Sequence, residues 1–467
     1  MRSEWQDVSL GDLFKIKHGF AFKGEFFVEE PTETLLITPG NFAIGGGFQN
    51  PKPKFYNGPV PDEYVLKPGQ IVVTMTDLSK QSDTLGLAAV IPQDQNVWLH
   101  NQRVGLLEFK GKIPSDPRFL NYLLRTHEYR SWVIGSATGT TVKHTSPSRI
   151  HSYSCSIPPL EEQKTIAHIL GSLDDKIELN RQMNATLEAM AQALFKSWFV
   201  DFDPVIDNAL AAGHPIPAPL QSRAEARAAL GDKRKPLPKE IQQRFPNRFV
   251  FNEDMGWVPK GWEVLPISDV TEFREGPGIL AKDFHPQGVP LIRLAGLKNG
   301  VSLLDGCNYL DPDKVEKKWM HFKLEKGDVL LSSSASLGRV AEVEGESIGA
   351  IPYTGIIGFR PKRNRTVRRY VKHFLSSTYF QGQVKMMGVG SVLNHFGPTH
   401  LKKMYMLVPS LPLQEHFSTV ATPIDLLCGQ RLKESLALGS LRDSLLPKLL
   451  SGQLRIPEAE KQVANIL

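Results

Sequence analysis

The chain says nearly the same thing twice. IPPLEEQKTIAHILGSLDDKI, from Ile157 to Ile177, returns 251 residues later as VPSLPLQEHFSTVATPIDLLC, from Val408 to Cys428; Pro158 falls over Pro409, Gln163 over Gln414 and Asp174 over Asp425. The correspondence extends outwards. WQDVSLGDLFKIKHG (Trp5 to Gly19) lies over WEVLPISDVTEFREG (Trp262 to Gly276), LKPGQIVV at Leu66 over LEKGDVLL at Leu324, and Gly139, His144 and Ile150 over Gly390, His395 and Leu401. A period this long excludes a solenoid of short repeats and predicts two related halves. At 467 residues, and roughly 150 residues per domain, there is room for about three units.

Within each half the texture changes once. Up to about residue 156, short β-like runs (Gln70 to Thr74, Val104 to Phe109) alternate with Gly, Pro, Asn and Asp, and one helix-like stretch lies near Phe119 to Arg130. This predicts a mixed α and β domain. After Pro158-Pro159 the period becomes helical: Pro159 suits a helix entrance, and Glu161 and Glu162 suit its positive end.

Apolar residues then recur at Ile166, Leu170, Leu173, Ile177, Leu187, Ala191, Leu194 and Trp198, with Asn180 and Asn184 interrupting; the second copy has Phe417, Ala421, Ile424, Cys428, Leu438, Arg442, Leu445 and Leu449, with Arg431 and Ser435 at the gap. Such a seam either covers its own domain's core or packs on the other helix. Length favours an antiparallel pair, because a helix from Glu161 to Phe199 would be roughly 55 Å long, more than one small domain can cover. In the second copy Pro412-Leu413 replaces Glu161-Glu162, which predicts a start one or two residues later, and Pro447 is expected to kink or end that helix. The fold class is therefore α+β: two similar mixed domains separated by two long helices packed as an antiparallel coiled coil, with a pseudo-two-fold. The predicted bounds are 1–156 for the first domain, 157–200 for the first helix, 201–256 for a connector, 257–407 for the second domain, 408–456 for the second helix and 457–467 for a tail. The connector, poor in large apolar residues, is expected to hold at most a short helix near Ser222 to Leu230.

Catalytic signatures are nearly lacking. No phosphate-binding Gly-x-x-x-x-Gly-Lys-Ser/Thr loop, no His-Glu-x-x-His and no Gly-x-Ser-x-Gly occurs. Asp94 with Glu108-x-Lys110 is the nearest approach to a metal-dependent nuclease, but Arg360 falls near the place of Glu108 in the second copy. Cys155, Cys307 and Cys428 are scattered and unpaired in sequence, so neither a disulfide framework nor a zinc site is expected. With no apolar leader and no run of ~18 apolar residues, the expectation is a cytoplasmic chain.

Charge points elsewhere. The net charge is +6, and residues 257–409 alone hold 21 Lys and Arg against 14 Asp and Glu. FRPKRNRTVRRYVK gathers Arg360, Lys362, Arg363, Arg365, Arg368, Arg369 and Lys372, a density suited to phosphates or to an ordinary solvated loop. Two matched loops, GSATGTTVKHTSPSRI (Gly135 to Ile150) and GVGSVLNHFGPTHL (Gly388 to Leu401), are rich in small residues and polar donors. Thr140, Thr141, Lys143, His144 and Arg149 in the first, and Ser391, Asn394 and His395 in the second, are candidates for contact with base edges or phosphates; each histidine could equally be satisfied inside its own domain.

Together these features resemble the specificity (S) subunit of Type I restriction-modification enzymes. The resemblance is carried by IPPLEEQKTIAHILGSLDDKIELNRQ (Ile157 to Gln182), SWFVDFDPV (Ser197 to Val205), PKGWEV (Pro259 to Val264) and LLPKLLSGQL (Leu445 to Leu454), and covers essentially the whole chain. It implies two target recognition domains, an antiparallel coiled coil and no catalytic activity in the chain itself. The implied target is an asymmetric bipartite DNA site with a nonspecific spacer. The implied partners are two methyltransferase (M) subunits that bind S-adenosylmethionine, with two restriction (R) subunits, dependent on Mg and ATP, as a further possibility. Glu161, Gln163, Gln414, Trp198 and Phe199 are the candidates for contact with M subunits. Two readers held by rigid helices would meet major-groove sites about one turn, or ~34 Å, apart. A free-standing metal-dependent nuclease and a purely structural coiled-coil adaptor are the rival function classes.

Overall fold

The computed structural model describes residues 4–77, 79, 82–109, 113–139, 142–234, 237–298, 300–334, 337–386 and 396–466. It divides into two compact units, Met1–Glu178 with Ser435–Leu467, and Leu179–Glu434.

In the first unit an antiparallel sheet runs in the order Phe14–His18, Val104–Phe109, Ile71–Thr74, Ala88–Val90. A second sheet of five strands places Val97–His100 parallel to Thr34–Ile37. Continuous β-branched and leucine runs such as Ile71–Thr74 are buried on both faces, as a strand between two packed layers should be. The second unit repeats the plan. Thr271–Glu275, Ile356–Pro361, Val329–Ser332 and Val340–Glu342 form the matching sheet, and Leu291 and Ile292 pair in parallel with Ile351 and Pro352.

The duplication reaches the crowded points of the backbone. A Cβ on Gly19 would lie 2.2 Å from the Asn101 carbonyl oxygen, and one on Gly276 would lie 2.1 Å from that of Pro352. Only glycine permits this approach in either copy. The entrance and exit of each domain are also stitched alike: Gln6–Ser9 pairs with Ser154–Ile157, and Glu263–Pro266 with Tyr405–Val408.

Two helices of 40 residues follow the domains, Leu160–Phe199 and Leu411–Leu450. Both ends correspond at the 251-residue offset, so the later start expected for the second helix is not found. Pro412 lies in the first turn, where its missing N–H has no acceptor to lose. Pro447 falls near the end of the helix, as expected. It sits in the last turn, and the chain leaves at Leu450 through Gly452, whose φ of +67° lies in the left-handed region.

Within each unit the two helices run antiparallel and also close a domain core. In the first unit Ile166, Leu170 and Leu173 share one core with Leu438, Leu445, Leu449 and the domain residues Phe14, Leu107 and Phe119. In the second, Phe195 and Trp198 pack with Phe417, Leu413 and Ala421 against Tyr370 and Phe359. The two arrangements that the seam left open are thus both realised. The polar gap is used as well: Asn180, fully buried, donates to Glu434 at 3.0 Å and accepts from Arg431 at 3.2 Å, and Asn184 donates to the Cys428 carbonyl at 3.1 Å. A buried amide paired with unlike partners favours one register of the pair.

The segment 201–256 is more ordered than a connector poor in apolar residues suggests. It forms the helices Asp203–Ala211 and Gln221–Ala229 and the hairpin Phe249–Asn252 with Gly256–Pro259. The expected short helix is the second of these. Arg223 grips Asp203 with two 2.7 Å bonds, Arg227 and Arg234 grip Asp207, and Phe202, Val205, Phe245 and Val258 dock into the second unit's core. Paired charges and a few anchors replace the missing apolar surface.

Candidate nucleic-acid interface

The described residues of the loop between Gly135 and Ile150 fold back on their own domain. Lys143 and His144 pair antiparallel with Asp77 and Thr76, and Thr145 N–H donates to the Met75 carbonyl at 3.0 Å. Gly139 has a φ of +94°, and the Val142 carbonyl oxygen lies 2.0 Å from where its Cβ would sit. Met75 N–H in turn donates to the Arg103 carbonyl at 3.1 Å, which completes a three-segment ladder. The second unit has the same ladder: Phe396 N–H to the Ser333 carbonyl at 2.9 Å, and Ser333 N–H to that of Gly355 at 2.8 Å.

The neighbouring turn is held by Asp77. Burial alone would raise its carboxyl, but bonds from Ser79 and Thr84 outweigh that and hold it below the ordinary range. The carboxylate accepts from the N–H groups of Ser79 at 2.6 Å, Thr84 at 2.5 Å and Leu85 at 2.9 Å. A platform tied to the Asp77 carboxylate therefore lies beside the loop.

Beside that platform Lys143 is half-buried and His144 is exposed, with its Nδ1 3.2 Å from Thr76 Oγ1. Thr140, Thr141, Ser391, Asn394 and His395 lie outside the described residues. Arg149 does not reach outwards. Its guanidinium lies 3.6 Å over the Trp132 ring, and its Nε donates to Ser136 Oγ at 2.5 Å, so it holds the loop's return to its own helix.

The basic run is largely paired with carboxylates of its own unit, with Arg365 and Arg368 still partly exposed. Arg360 forks onto Asp328 at 2.8 and 2.9 Å, Arg368 lies 3.6 Å from Glu342, and Arg365 lies 3.4 Å from Glu263. Buried Arg369 pairs with Glu342 and, at 2.6 Å, with Asp425. Arg363 is exposed, with no partner among the described residues. Carboxylates brought from other points of the same unit thus pair with most of this run, although the segment 257–409 carries an excess of basic residues.

The repeated glutamines point inwards. Gln163 is 1 % exposed: its Oε1 accepts from Asp116 N–H at 2.8 Å and its Nε2 donates to the Pro158 carbonyl at 2.8 Å. Gln414 accepts from Val367 N–H at 3.2 Å and Thr366 Oγ1 at 2.8 Å, and donates to the Pro409 carbonyl at 2.8 Å. Each clamps the start of its long helix to the helix of the preceding domain. The repeated aspartates do similar work. Burial opposes ionisation of Asp174, but the Arg125 and Arg442 guanidiniums outweigh it and hold the carboxyl below its ordinary range; Arg442 Nη1 is 2.5 Å away. Asp425 is held low by His373, Lys372 and Arg369 against the same burial. Trp198 and Phe199 are core residues, and Glu161 is exposed beside Lys164 at 2.7 Å. Of the five candidates for partner contact, only Glu161 lies at the surface.

Asp94 accepts from the Trp98 indole N–H at 3.1 Å, a structural use, and Lys110 lies outside the described residues. Among the described residues no group of three or more His, Cys, Asp or Glu is placed to hold a metal, and no helix is long and apolar enough to cross a membrane.

A family model described as the Type I restriction modification DNA specificity domain matches residues 2–189 and again 259–429. The chain belongs to this specificity family. Its repeat is thus the family's domain present twice. The specificity subunit of the Type I restriction enzyme HindI from Haemophilus influenzae is 29 % identical over 364 residues, 72 % of this chain and 77 % of that one. The EcoBI specificity subunit of Escherichia coli is 21 % identical, over 97 % of this chain and 87 % of its own. Among solved structures, the Type I restriction-modification S subunit from M. genitalium aligns over 95 % of this chain and 96 % of its own, with a TM-score of 0.48 and 16 % identity.

One feature of this specificity chain escaped the seam pattern. Leu179, Met190, Leu426 and Leu427 are between 43 and 57 % exposed on the long helices. Apolar residues off the seam of a two-helix packing were the available signal.

Proposed function

We propose that this chain is the sequence-reading subunit of a Type I restriction-modification complex, that each domain reads one half of an asymmetric bipartite DNA site, and that the helix pair sets the spacer and carries the M subunits. The observation that carries this reading is the twice-built ladder, with Met75 and Thr145 in one copy and Ser333 and Phe396 in the other. One scaffold bearing different side chains suits two different short sequences. Base contacts would give specificity, while Lys and Arg contacts to phosphate would give affinity with a steep salt dependence.

In this reading the chain itself is non-catalytic. S-adenosylmethionine belongs to the two M subunits, and Mg and ATP to R subunits where these join. The exposed Leu179, Met190, Leu426 and Leu427 replace Gln163, Gln414, Trp198 and Phe199 as the surface offered to a protein partner, with Glu161 retained.

Methylome sequencing of cells carrying the M subunit, with and without this chain, tests the reading. The expected result is a two-part methylated motif that disappears with the chain. Methylation indifferent to the chain would favour an adaptor, and Mg-dependent cutting of duplex DNA by the purified chain would favour a nuclease.

A further inference from the structure

The turn that joins Val97–His100 to Val104–Phe109 presents Gln102 and Arg103, both exposed and both without a side-chain partner among the described residues. Its backbone is fixed from several directions. Phe20 N–H donates to the His100 carbonyl at 2.8 Å, Gln102 N–H to that of Phe20 at 3.0 Å, and Val104 N–H to that of Asn101 at 3.0 Å. Arg103 N–H donates to Asn101 Oδ1 at 3.0 Å, and the Arg103 carbonyl accepts from Met75 N–H. Beneath the turn, fully buried His100 donates from Nε2 to the Val104 carbonyl at 2.8 Å, and burial pushes its imidazole down to about 4, so it stays neutral near pH 7.

We propose that Gln102 and Arg103 are specificity-determining residues of the first domain and read base edges in its half-site; this rests on the DNA-reading function proposed above. Through Met75 the turn lies two ladder steps from Thr145, and so beside Lys143 and His144. Other arginines around these loops are engaged: Arg130 holds the Ser82 and Asp83 carbonyls, and Arg149 holds Ser136. Among the described residues Arg103 has no partner on its guanidinium fork. A guanidinium fork matches guanine O6 and N7, and a glutamine amide matches adenine N6 and N7. Such matching discriminates only when the backbone is held still, as it is here.

The second copy supplies the contrast. At the ladder position of Arg103 it has Gly355, with φ of +82° and Ser334 Oγ 2.1 Å from where a Cβ would lie, and Thr354 precedes it. Its nearby Arg293 is stacked 3.9 Å from the Tyr353 ring. The turn therefore bears long donors in the first domain only, and its reading is confined to one half-site.

The test uses the complex with its M subunits and a library of randomised DNA sites, with methylation read by sequencing for wild type, Arg103→Ala, Arg103→Lys and Gln102→Ala. Both Arg103 variants should lose selection at one position of the first half-site, by roughly tenfold to a hundredfold, and leave the second half-site intact. Gln102→Ala should relax a different position in the same half. A uniform drop in methylation with every position intact would make Arg103 a phosphate contact and overturn the proposal, as would unchanged selection or loss of both half-sites in both Arg103 variants. If wild type itself shows no two-part motif, the underlying function fails and the inference falls with it; an intact wild-type motif with unaltered variants sinks the inference alone.

Discussion

Gln163 and Gln414 show how a side chain can recur at a fixed place without touching a partner. Each is buried and satisfies a backbone N–H of the preceding domain with one end and a proline carbonyl with the other. Removing such an amide leaves a buried donor and acceptor unpaired, at a cost of about 2–3 kcal/mol for the two groups together. Gln163→Ala is therefore expected to lower the urea midpoint and to speed hydrogen exchange at the Asp116 amide. A variant with native stability and unchanged exchange there would contradict the clamp. The equivalent Gln414→Ala should act at Val367.

At the scale of elements, the long helices take their place from a shared seam and from ionic ties at its edges. Asp174 and Arg442 sit on different helices of one unit and are mostly buried. Truncating either partner should destabilise by about 1–3 kcal/mol, and the double variant by clearly less than the sum, because the same lost tie is counted in both single variants while Arg125 loses its carboxylate in the Asp174 variants alone. Strictly additive losses in a double-mutant cycle would remove the tie from the account. The helices, their antiparallel pairing and the two mixed domains were legible in sequence because period and repetition record burial. The order of residues 201–256 was not, since Arg223, Arg227 and Arg234 stabilise it by pairing with Asp203 and Asp207, and composition does not reveal which charges meet. For the same reason the sequence could not say which arginines of the basic run are paired, as Arg360 is with Asp328. Loop candidates such as Lys143 and His144 were visible as a matched pair of stretches, but Gln102 and Arg103 were not, because their place beside that loop arises only when three distant strands meet.

For the whole molecule, the family domain present twice is the fact on which the proposed function rests. Under the proposed function, duplication with divergence gives one polypeptide two readers on a common plan, and each should be replaceable without disturbing the other. Exchange of residues 1–156 for the corresponding segment of a relative with a different target, followed by methylome sequencing with the M subunit present, measures this most directly. The account predicts a motif with one half altered to the relative's and the other half unchanged. A motif altered in both halves, or in neither, would contradict it.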